Sequence, residues 1–300
     1  MDGQGCKKSE LRIVEAAMSA RSLTDLQLGR IRYTNTLPFY HNLPLPAGRN
    51  GEEWQWEVGS PAEINRWIYE GKIDIAPISS LEYLNHQDQY LLFPDFCIGS
   101  RDFSASVLLI SKERIDGLNG ATISLSQESL SAAALLKILL KKKFGFENKF
   151  VVEPSNPSVM LEKSRACLVI GDEALFYKPK EFIYKTDLSQ IWWEWTGRPF
   201  CFSLLAVRRN TYRECPSEVT EFYRLLKANL GRNLEDLEKL IREGSGVVFA
   251  DVKFPTLFGY LFNLSYGLDE AMLQGLNLFF HHAHQMGISP EAKELEFVRT

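Results

Sequence analysis

The chain has 300 residues, of which 45% are hydrophobic and 24% are charged, and its net charge is −4. These values are typical of a soluble globular protein with one large or two medium domains, and they exclude a disordered chain. No basic face with interleaved aromatic residues and no apolar run of bilayer length is present, so we expect neither a nucleic-acid nor a membrane partner.

Residues 1–26 are predicted to be a loosely attached N-terminal extension, with a short helix around residues 11–20. The next segments alternate between strand and helix, which is typical of an α/β domain with a mainly parallel sheet. The pattern predicts strands at 29–33, 54–61 and 73–79 and a helix at 62–72, the last stopped by Gly71.

The middle of the chain is predicted to be richer in strands, and its last third is predicted to be helical. The predicted strands are 91–100, 103–111, 121–126, 148–154, 166–172 and 200–208, with a helix at 129–144. Two long strand segments, near residues 98 and 203, would connect two α/β lobes with a ligand cleft between them. We expect lobe 1 to comprise 27–98 plus 204–300 and lobe 2 to comprise 99–203.

The five cysteines are widely spaced and form no Cys-x-x-Cys pair, so we expect no zinc site and no redox pair. Cys97, Cys167 and Cys201 stand in apolar surroundings and are predicted to be small core residues. We expect a cytoplasmic, reduced compartment, because no signal-peptide segment is present. Phosphate loops, dinucleotide fingerprints and serine elbows are also missing, so we expect chemistry without a cofactor or metal.

Four polar turns follow the carboxyl ends of predicted strands, where open α/β sheets place their ligands. The turns are residues 33–36, 77–83, 124–131 and 170–175. Helix N-termini bind carboxylates through free N–H groups, so two such turns in facing lobes would suit a small molecule with two carboxylates. Ordinary helix capping accounts for any single one of these turns. Asn35 is accordingly either an N-cap or a residue at the mouth of the cleft.

The tract at 187–209 contains Trp192, Trp193 and Trp195 before a Thr-Gly-Arg-Pro turn. One interpretation is an aromatic wall beside a ligand, with the glycine bringing backbone close to it. The other is a core cluster between the lobes. His281, His282 and His284 on a late helix are interpreted as a helix surface or a lobe contact.

Several segments occur in a characteristic order: GRIRYTNTLPFYHNL, GKIDIAPISSLEYL, FPDFCIGS, IGDEAL and WWEWTGRPFCFSLLAVRR. In combination they resemble the MqnA family of menaquinone biosynthesis, the chorismate dehydratases of the futalosine route, from about residue 28 to 285. The resemblance implies a type II periplasmic-binding-protein-like fold of two α/β lobes. It also implies a cofactor-independent hydro-lyase that converts chorismate to 3-[(1-carboxyvinyl)oxy]benzoate and water.

The resemblance further implies that Asn35 and Ser106 serve catalysis. We expect Asn35 to orient the substrate and its leaving hydroxyl, and Ser106 to be a hydrogen-bond partner, because an amide is too weakly basic to abstract the ring proton. The base would be the substrate's own enolpyruvyl carboxylate or a water. The polar residues expected to bind the dicarboxylate chorismate are Thr34, Ser79, Ser80, Ser126, Gln127, Ser129, Ser131, Gly171, Asp172 and Thr196.

The third turn departs from the family pattern, because Glu128 and Leu130 stand where hydroxyl donors are common. A carboxylate beside a bound dianion would repel it unless Glu128 points outward. Three alternatives therefore stay open: a two-lobed binding protein for a small carboxylate without catalysis, a divergent paralogue, and the sister naphthoate-forming enzyme of the same pathway. The sequence does not indicate an oligomeric state.

Overall fold

The computed structural model describes residues 26–46, 56–178, 183–244 and 254–299. The short helix predicted near residues 11–20 lies outside these ranges. Leu26, the last residue of the predicted extension, is only 2% exposed and belongs to a buried apolar cluster, so the folded part of the chain includes it.

Eleven strands lie within the described residues and form two sheets. The six-stranded sheet has the order β11-β4-β10-β3-β1-β2. Its strands are β1 (Leu28–Ile31), β2 (Trp56–Gly59), β3 (Ile75–Ser79), β4 (Tyr90–Ser100), β10 (Phe200–Arg208) and β11 (Leu264–Ser265). β1 pairs in parallel with β2 and β3, whereas β10 runs antiparallel to both of its neighbours. The three strands on which the prediction of a mainly parallel sheet rests pair in parallel, but β4, β10 and β11 add antiparallel pairs and make the sheet as a whole mixed.

The five-stranded sheet has the order β7-β6-β8-β5-β9 and is also mixed. Its strands are β5 (Val107–Ser111), β6 (Thr122–Ser126), β7 (Lys149–Glu153), β8 (Ala166–Ile170) and β9 (Tyr184–Asp187). The predicted strand at 103–111 is shorter in the structure, because the Asp187 carboxylate accepts from Ser104 and Ala105 there and replaces the ladder with a tight turn.

Helices pack on both sheets and connect the strands. In chain order they are α1 (Leu37–Tyr40), α2 (Pro61–Glu70), α3 (Ser80–Asn85), α4 (Ser131–Ile138), α5 (Pro157–Lys163), α6 (Gly171–Phe176), α7 (Leu188–Thr196), α8 (Arg209–Glu214), α9 (Pro216–Glu235), α10 (Leu237–Gly244), α11 (Phe254–Asn263) and α12 (Glu270–Gln285). α4 continues as a π-helical turn over Leu139–Lys143, which puts its three lysines at the helix C-terminus. No helix among the described ranges has the length and apolar character needed to cross a membrane.

Local sequence explains why α2 forms where it does. The Ser60 side chain accepts from the Glu63 N–H, and the Glu63 carboxylate accepts from the Ser60 N–H, which is a complete capping box. Pro61 fits the first turn, and Gly71 ends the helix in a left-handed conformation with φ of 83°. The buried face then packs against β3, which is buried along its whole length.

The two α/β lobes share a continuous apolar core. One buried cluster contains Ile78 and Leu84 from the six-stranded lobe together with Leu135 and Trp192 from the five-stranded lobe. The strands β4 and β10 connect the lobes. Both belong to the six-stranded sheet, β4 as far as residue 100 and β10 from residue 200 onward. The predicted lobe boundaries at 98/99 and 203/204 stay a prediction.

The last described residues run along β4. Leu92 and Phe297 form a parallel β-bridge in which the Leu92 N–H donates to Glu296 O and the Val298 N–H donates to Leu92 O, both at 2.9 Å. The Arg209 guanidinium holds the Glu296 carboxylate with two bonds of 2.8 and 2.9 Å. The tail therefore pairs with β4 at Leu92, whereas β11 pairs with it at Gly99 and Ser100.

Candidate active site

A cavity with a volume of about 80 Å³ lies between the two lobes. Six of the predicted site residues line it: Asn35, Ser79, Ser106, Ser129, Ser131 and Gly171. Much of the remaining wall is apolar and includes Ile31, Val107 and Phe202. A few polar groups in an apolar cleft are typical of a small-molecule site.

The other predicted site residues lie outside this lining. They are Thr34, Ser80, Ser126, Gln127, Asp172 and Thr196. The Ser80 hydroxyl is fully buried and donates to Cys201 O at 2.5 Å, and the Thr196 hydroxyl donates to Trp192 O at 2.8 Å within α7. Gln127 is exposed. Thr34 and Asp172 form a contact between the lobes instead.

Asn35 occupies the middle of a 3₁₀ turn, Thr34–Thr36, between β1 and α1. The Thr36 hydroxyl, rather than Asn35, stabilises this turn by donating to Ile31 O at 2.9 Å. The Asn35 side chain makes no cap bond at either helix start, and its Oδ1 atom is buried without a hydrogen-bond partner in the described part of the chain. An unpaired buried acceptor at a cavity wall is available to a ligand or to another donor.

Ser79 ends β3 and caps α3. Its hydroxyl oxygen accepts from Asn65 Nδ2 at 3.0 Å and from the Glu82 N–H at 3.2 Å. Since a serine hydroxyl has two acceptor positions and one hydrogen, these bonds leave its O–H as the group that faces the cavity. The Ser79 N–H also donates to Asn65 Oδ1 at 3.0 Å, which fixes the strand end.

Ser106 begins the five-stranded lobe at a strained turn. Ala105, directly before it, has φ of 58°, an uncommon value for a residue with a Cβ. The buried Asp187 carboxylate accepts from the Ser104 N–H at 3.1 Å and from the Ala105 N–H at 2.7 Å. Burial raises the pKa of Asp187. This carboxylate therefore holds the turn that points Ser106 into the cavity.

The amino end of α4 forms another wall. Ser129, Leu130, Ser131 and Ala132 line the cavity there. The first N–H groups of a helix lack partners within it and favour negative charge. The Ser131 hydroxyl accepts from the Leu81 N–H at 3.0 Å and so ties α4 to α3 of the other lobe.

Two further contacts close the cleft. The Thr34 N–H donates to both Asp172 oxygens, at 3.0 and 3.2 Å, and burial raises the pKa of this carboxyl. Gly171, with φ of 64°, lies under the Tyr33 ring so closely that an added Cβ would be 2.5 Å from it. The first turn of the six-stranded lobe is thus seated on α6 of the five-stranded lobe.

Of the three tryptophans in the 187–209 tract, Trp192 belongs to the core and Trp195 packs against it, whereas Trp193 is exposed. Trp192 is completely buried, donates from Nε1 to Pro199 O at 3.2 Å and packs edge-on against Phe200. Trp195 stacks on His282, and this histidine therefore forms a contact between α7 and α12. The predicted aromatic wall is wrong, because the aromatic residues of the cavity wall within the described ranges are Tyr33 and Phe202. No three His, Cys, Asp or Glu side chains in the same ranges are grouped as metal ligands.

Comparison with known proteins places the chain in a family. A family model described as menaquinone biosynthesis matches residues 26–285. The chain belongs to this family. A chorismate dehydratase of Thermus thermophilus is 30% identical over 269 residues, which cover 84% of this chain and 93% of the relative. A chorismate dehydratase of Campylobacter jejuni is 27% identical over 178 residues, covering 58% of this chain and 64% of the relative.

Solved structures similar to this member of the family have the two-lobed fold of periplasmic binding proteins. A protein of Archaeoglobus fulgidus gives a TM-score of 0.70 at 15% identity, covering 88% of this chain and 98% of that one. The alkanesulfonate-binding protein SsuA of Xanthomonas axonopodis pv. citri gives 0.61 at 14% identity, with 89% and 94% covered. The predicted fold class is confirmed.

Glu128, the acidic residue of the third polar turn, is bound across the cleft. Arg32 Nη2 lies 2.7 Å from its Oε1, and the Tyr33 hydroxyl donates to its Oε2. Burial, followed by this hydrogen bond, raises the pKa of Tyr33. The carboxylate lines the cavity instead of pointing outward, and its charge is balanced by Arg32. Arg32 and Tyr33 carried no sequence signal for this role, since their partner is 96 and 95 residues away.

Proposed function

We propose that this chain is a chorismate dehydratase, which converts chorismate to 3-[(1-carboxyvinyl)oxy]benzoate and water. The observation that carries the proposal is the match to the Thermus thermophilus enzyme along 84% of this chain and 93% of that one. The geometry supports the proposal, because Asn35 and Ser106 line one cavity together with serine hydroxyls from both lobes.

Binding of the substrate's two carboxylates is assigned to separate walls. The Ser79 O–H serves one carboxylate, and the N–H groups at the start of α4 with the Ser129 hydroxyl serve the other. The apolar residues between these walls suit the cyclohexadiene ring. The paired state of Glu128 limits its repulsion of the dianion.

The reaction removes a proton from the ring carbon that bears the enolpyruvyl ether and a hydroxide from the neighbouring carbon. The electron pair of the broken C–H bond completes the aromatic ring, and the proton and hydroxide leave as water. Atoms and electrons therefore balance within one molecule, and we propose that no cofactor is needed. The gain in aromaticity drives the reaction, so the site contributes mainly positioning and stabilisation of charge.

The amide of Asn35 is assigned to orient the leaving hydroxyl, and Ser106 is assigned to donate a hydrogen bond. The base is the substrate's enolpyruvyl carboxylate or a bound water. The only titratable side chains in the described cavity wall are Tyr33 and Glu128, which bind each other. Charge that develops on the ring during proton loss is conjugated to the ring carboxylate, where the hydroxyl and N–H donors stabilise it.

The test is to incubate the purified protein with chorismate and to follow the appearance of the aromatic product. We expect Asn35→Ala and Ser106→Ala each to lower kcat by roughly 100-fold, the usual scale for loss of one positioned donor. Ser158→Ala is the matched control, because Ser158 is an exposed serine on α5, away from the cavity.

Other outcomes identify the alternatives. Chorismate binding without product would indicate a two-lobed binding protein. Neither binding nor turnover would indicate that Glu128 and Leu130 belong to a paralogue with another substrate, of which the naphthoate-forming enzyme is one candidate. Full turnover in Asn35→Ala would contradict the assigned role of that amide.

A further inference from the structure

Strand β7 is an edge strand that carries apolar side chains exposed to solvent. It pairs in parallel with β6 and has no strand on its other side among the described residues. Val151 is 43% exposed and Val152 is 66% exposed. Natural proteins usually cover such an edge, because free N–H and C=O groups beside apolar side chains attract another strand.

Two hydrogen bonds show which backbone groups of β7 are already used. The Lys149 N–H donates to Ala121 O at 3.2 Å, and Glu153 O accepts from the Gln127 N–H at 2.9 Å. Lys149 and Glu153, the two ends of the strand, therefore direct their backbone groups towards β6 and the turn that follows it.

The residues between these ends determine what the open edge offers. Backbone direction alternates along a strand, so Phe150 and Val152 direct their N–H and C=O groups away from β6. The same alternation would bring Pro154 to the open edge, and a proline has no N–H to donate. A ladder on this edge is therefore confined to β7 itself.

The sequence of β7, KFVVE, complements itself when a second copy runs antiparallel to it. A two-fold axis at Val151 places Lys149 opposite Glu153 of the second copy and Phe150 opposite Val152 of the second copy. Opposite charges and apolar pairs that face each other directly stabilise an antiparallel ladder. Each Phe150–Val152 pair is then a hydrogen-bonded pair, which uses the backbone groups that the open edge leaves free.

The charged ends of β7 are able to form these pairs. Lys149 is exposed and makes no ion pair with a described residue. The Glu153 carboxylate, although largely enclosed, lies 3.8 Å from Lys163 Nζ, which is too long for a hydrogen bond. Glu153 can therefore accept from a second, closer cation.

We propose that β7 is an interface between two copies of this chain, in which the two β7 strands pair antiparallel about Val151 and join the five-stranded sheets. The same surface serves both copies, as in other two-fold dimers. One pair of short strands buries less surface than a permanent dimer does, so the dimer is weak and its fraction rises with protein concentration. No residue of β7 lines the cavity, so the inference does not depend on the proposed function.

Sedimentation velocity over a series of concentrations measures the dimer in solution. Val151→Lys places two ammonium groups opposite each other at the axis, and we expect it to raise the dissociation constant by roughly tenfold or more. Val58→Lys is the matched control, because Val58 is 49% exposed on β2, the edge strand of the other sheet. It should leave the dissociation constant unchanged, and circular dichroism verifies that both variants fold.

Cross-linking tests the register without a disruptive charge. With Cys6 replaced by serine, the four cysteines of the described chain are all buried, so an introduced surface thiol is the one that reacts. In Val151→Cys the two Cα atoms would be about 4.5 Å apart in a non-hydrogen-bonded pair, within the range of a disulfide. In Val152→Cys the two thiols would be diagonal neighbours, with Cβ atoms about 7–8 Å apart.

We expect Val151→Cys to form the disulfide-linked dimer at least roughly tenfold faster than Val152→Cys under mild oxidation, as read on non-reducing gels. Equal rates would indicate random collisions and would overturn the proposed register. A wild-type chain that stays monomeric throughout the concentration series would overturn the interface. So would a Val151→Lys chain that associates as strongly as wild type, because the contact would then lie on another face.

Discussion

Glu128 illustrates how an acidic residue in the cavity wall is accommodated by its neighbours. Its carboxylate lines a cavity assigned to a dianion, yet Arg32 lies 2.7 Å away and Tyr33 donates to it. Charge balance thus comes from the facing lobe. Residues 32 and 33 directly precede the turn that contains Asn35, so the same short segment supplies the neutralising charge and the amide to which we assign substrate positioning.

Arg32→Met should leave the Glu128 carboxylate free to repel the bound dianion, because Arg32 balances this charge in the wild-type protein. We expect KM for chorismate to rise by roughly three- to tenfold, the modest scale of partly exposed ion pairs, with a smaller change in kcat. The double variant Arg32→Met/Glu128→Gln should return KM towards the wild-type value, because the uncompensated charge is then gone. Steady-state kinetics decide the point, and a double variant as impaired as Arg32→Met would contradict it.

Asp172 gives a prediction on pH. Burial raises its pKa above the ordinary 3.8, so the native chain holds this proton more tightly than the unfolded chain. The contribution of Asp172 to the free energy of unfolding therefore falls as pH rises from 3.8 through the raised pKa, and it stays low above that. Asp172→Asn keeps one acceptor for the Thr34 N–H and removes the titration.

We accordingly expect the melting temperature of Asp172→Asn, relative to wild type, to be higher at pH 8 than at pH 4. Other carboxyl groups titrate in both proteins, so the difference between the two isolates Asp172. Scanning calorimetry at both pH values is the measurement. If the difference in melting temperature between Asp172→Asn and wild type were the same at pH 4 and pH 8, folding would not shift the pKa of Asp172.

At the scale of elements, the start of α6 determines how the lobes meet. Gly171 combines φ of 64° with a Tyr33 ring 2.5 Å from the place of a Cβ. Gly197, at the end of α7, has φ of 65° but nothing within 4 Å of that place. Comparing alanine substitutions at these two glycines therefore separates the cost of the left-handed backbone from the cost of a clash between the lobes.

Gly197→Ala should lower the free energy of unfolding by about 1 kcal/mol, the cost of a left-handed residue with a Cβ. Gly171→Ala should lower it further, by more than about 2 kcal/mol, because Tyr33 must also move. Only Gly171→Ala should reduce turnover, since moving Tyr33 disturbs the wall beside Glu128. Chemical denaturation and product formation test both statements, and equal effects of the two variants would contradict the clash.

Sequence patterns were sufficient for elements defined by local signals. The apolar spacing of residues 62–72, the stop at Gly71 and the apolar run before Ser79 gave α2 and β3 nearly as they stand. α7 was not predicted, because its tryptophans are common in strands and the N-cap at Asp187 gave a weak signal. The antiparallel position of β10 between β3 and β4 was also missed, since strand order depends on contacts more than 100 residues apart.

Prediction of the residues in the cavity wall also depended on whether the local sequence carried a signal. Asn35, Ser79 and Ser106 were found because polar turns at strand ends and a family resemblance pointed to them. Ser80 and Thr196 lie outside the cavity wall, because their hydroxyls donate to backbone carbonyls, and sequence does not distinguish such a hydroxyl from one that faces a cavity.

At the scale of the whole molecule, one buried apolar cluster spans both lobes, while each lobe also has a separate cluster of its own. Ile78 and Leu135, from opposite lobes, belong to the same buried cluster. Cross-lobe hydrogen bonds from Leu81 to Ser131 and from Thr34 to Asp172 add to this contact. The cavity is therefore formed at the seam of a continuous interior, with its polar groups fixed from both sides.

The tail along β4 has a consequence for how copies of the chain behave towards each other. An uncovered strand edge offers free N–H and C=O groups to a strand of another molecule, which promotes aggregation. Glu296 and Val298 occupy these groups at Leu92, so the tail shields the sheet from such pairing. Removal of residues 290–300 should therefore increase association, measured by light scattering, whereas Glu296→Gln should not, because it keeps the backbone bridge and loses only a surface ion pair. If the shortened chain scattered light no more than the 300-residue chain, the tail would not be what protects β4 from such pairing.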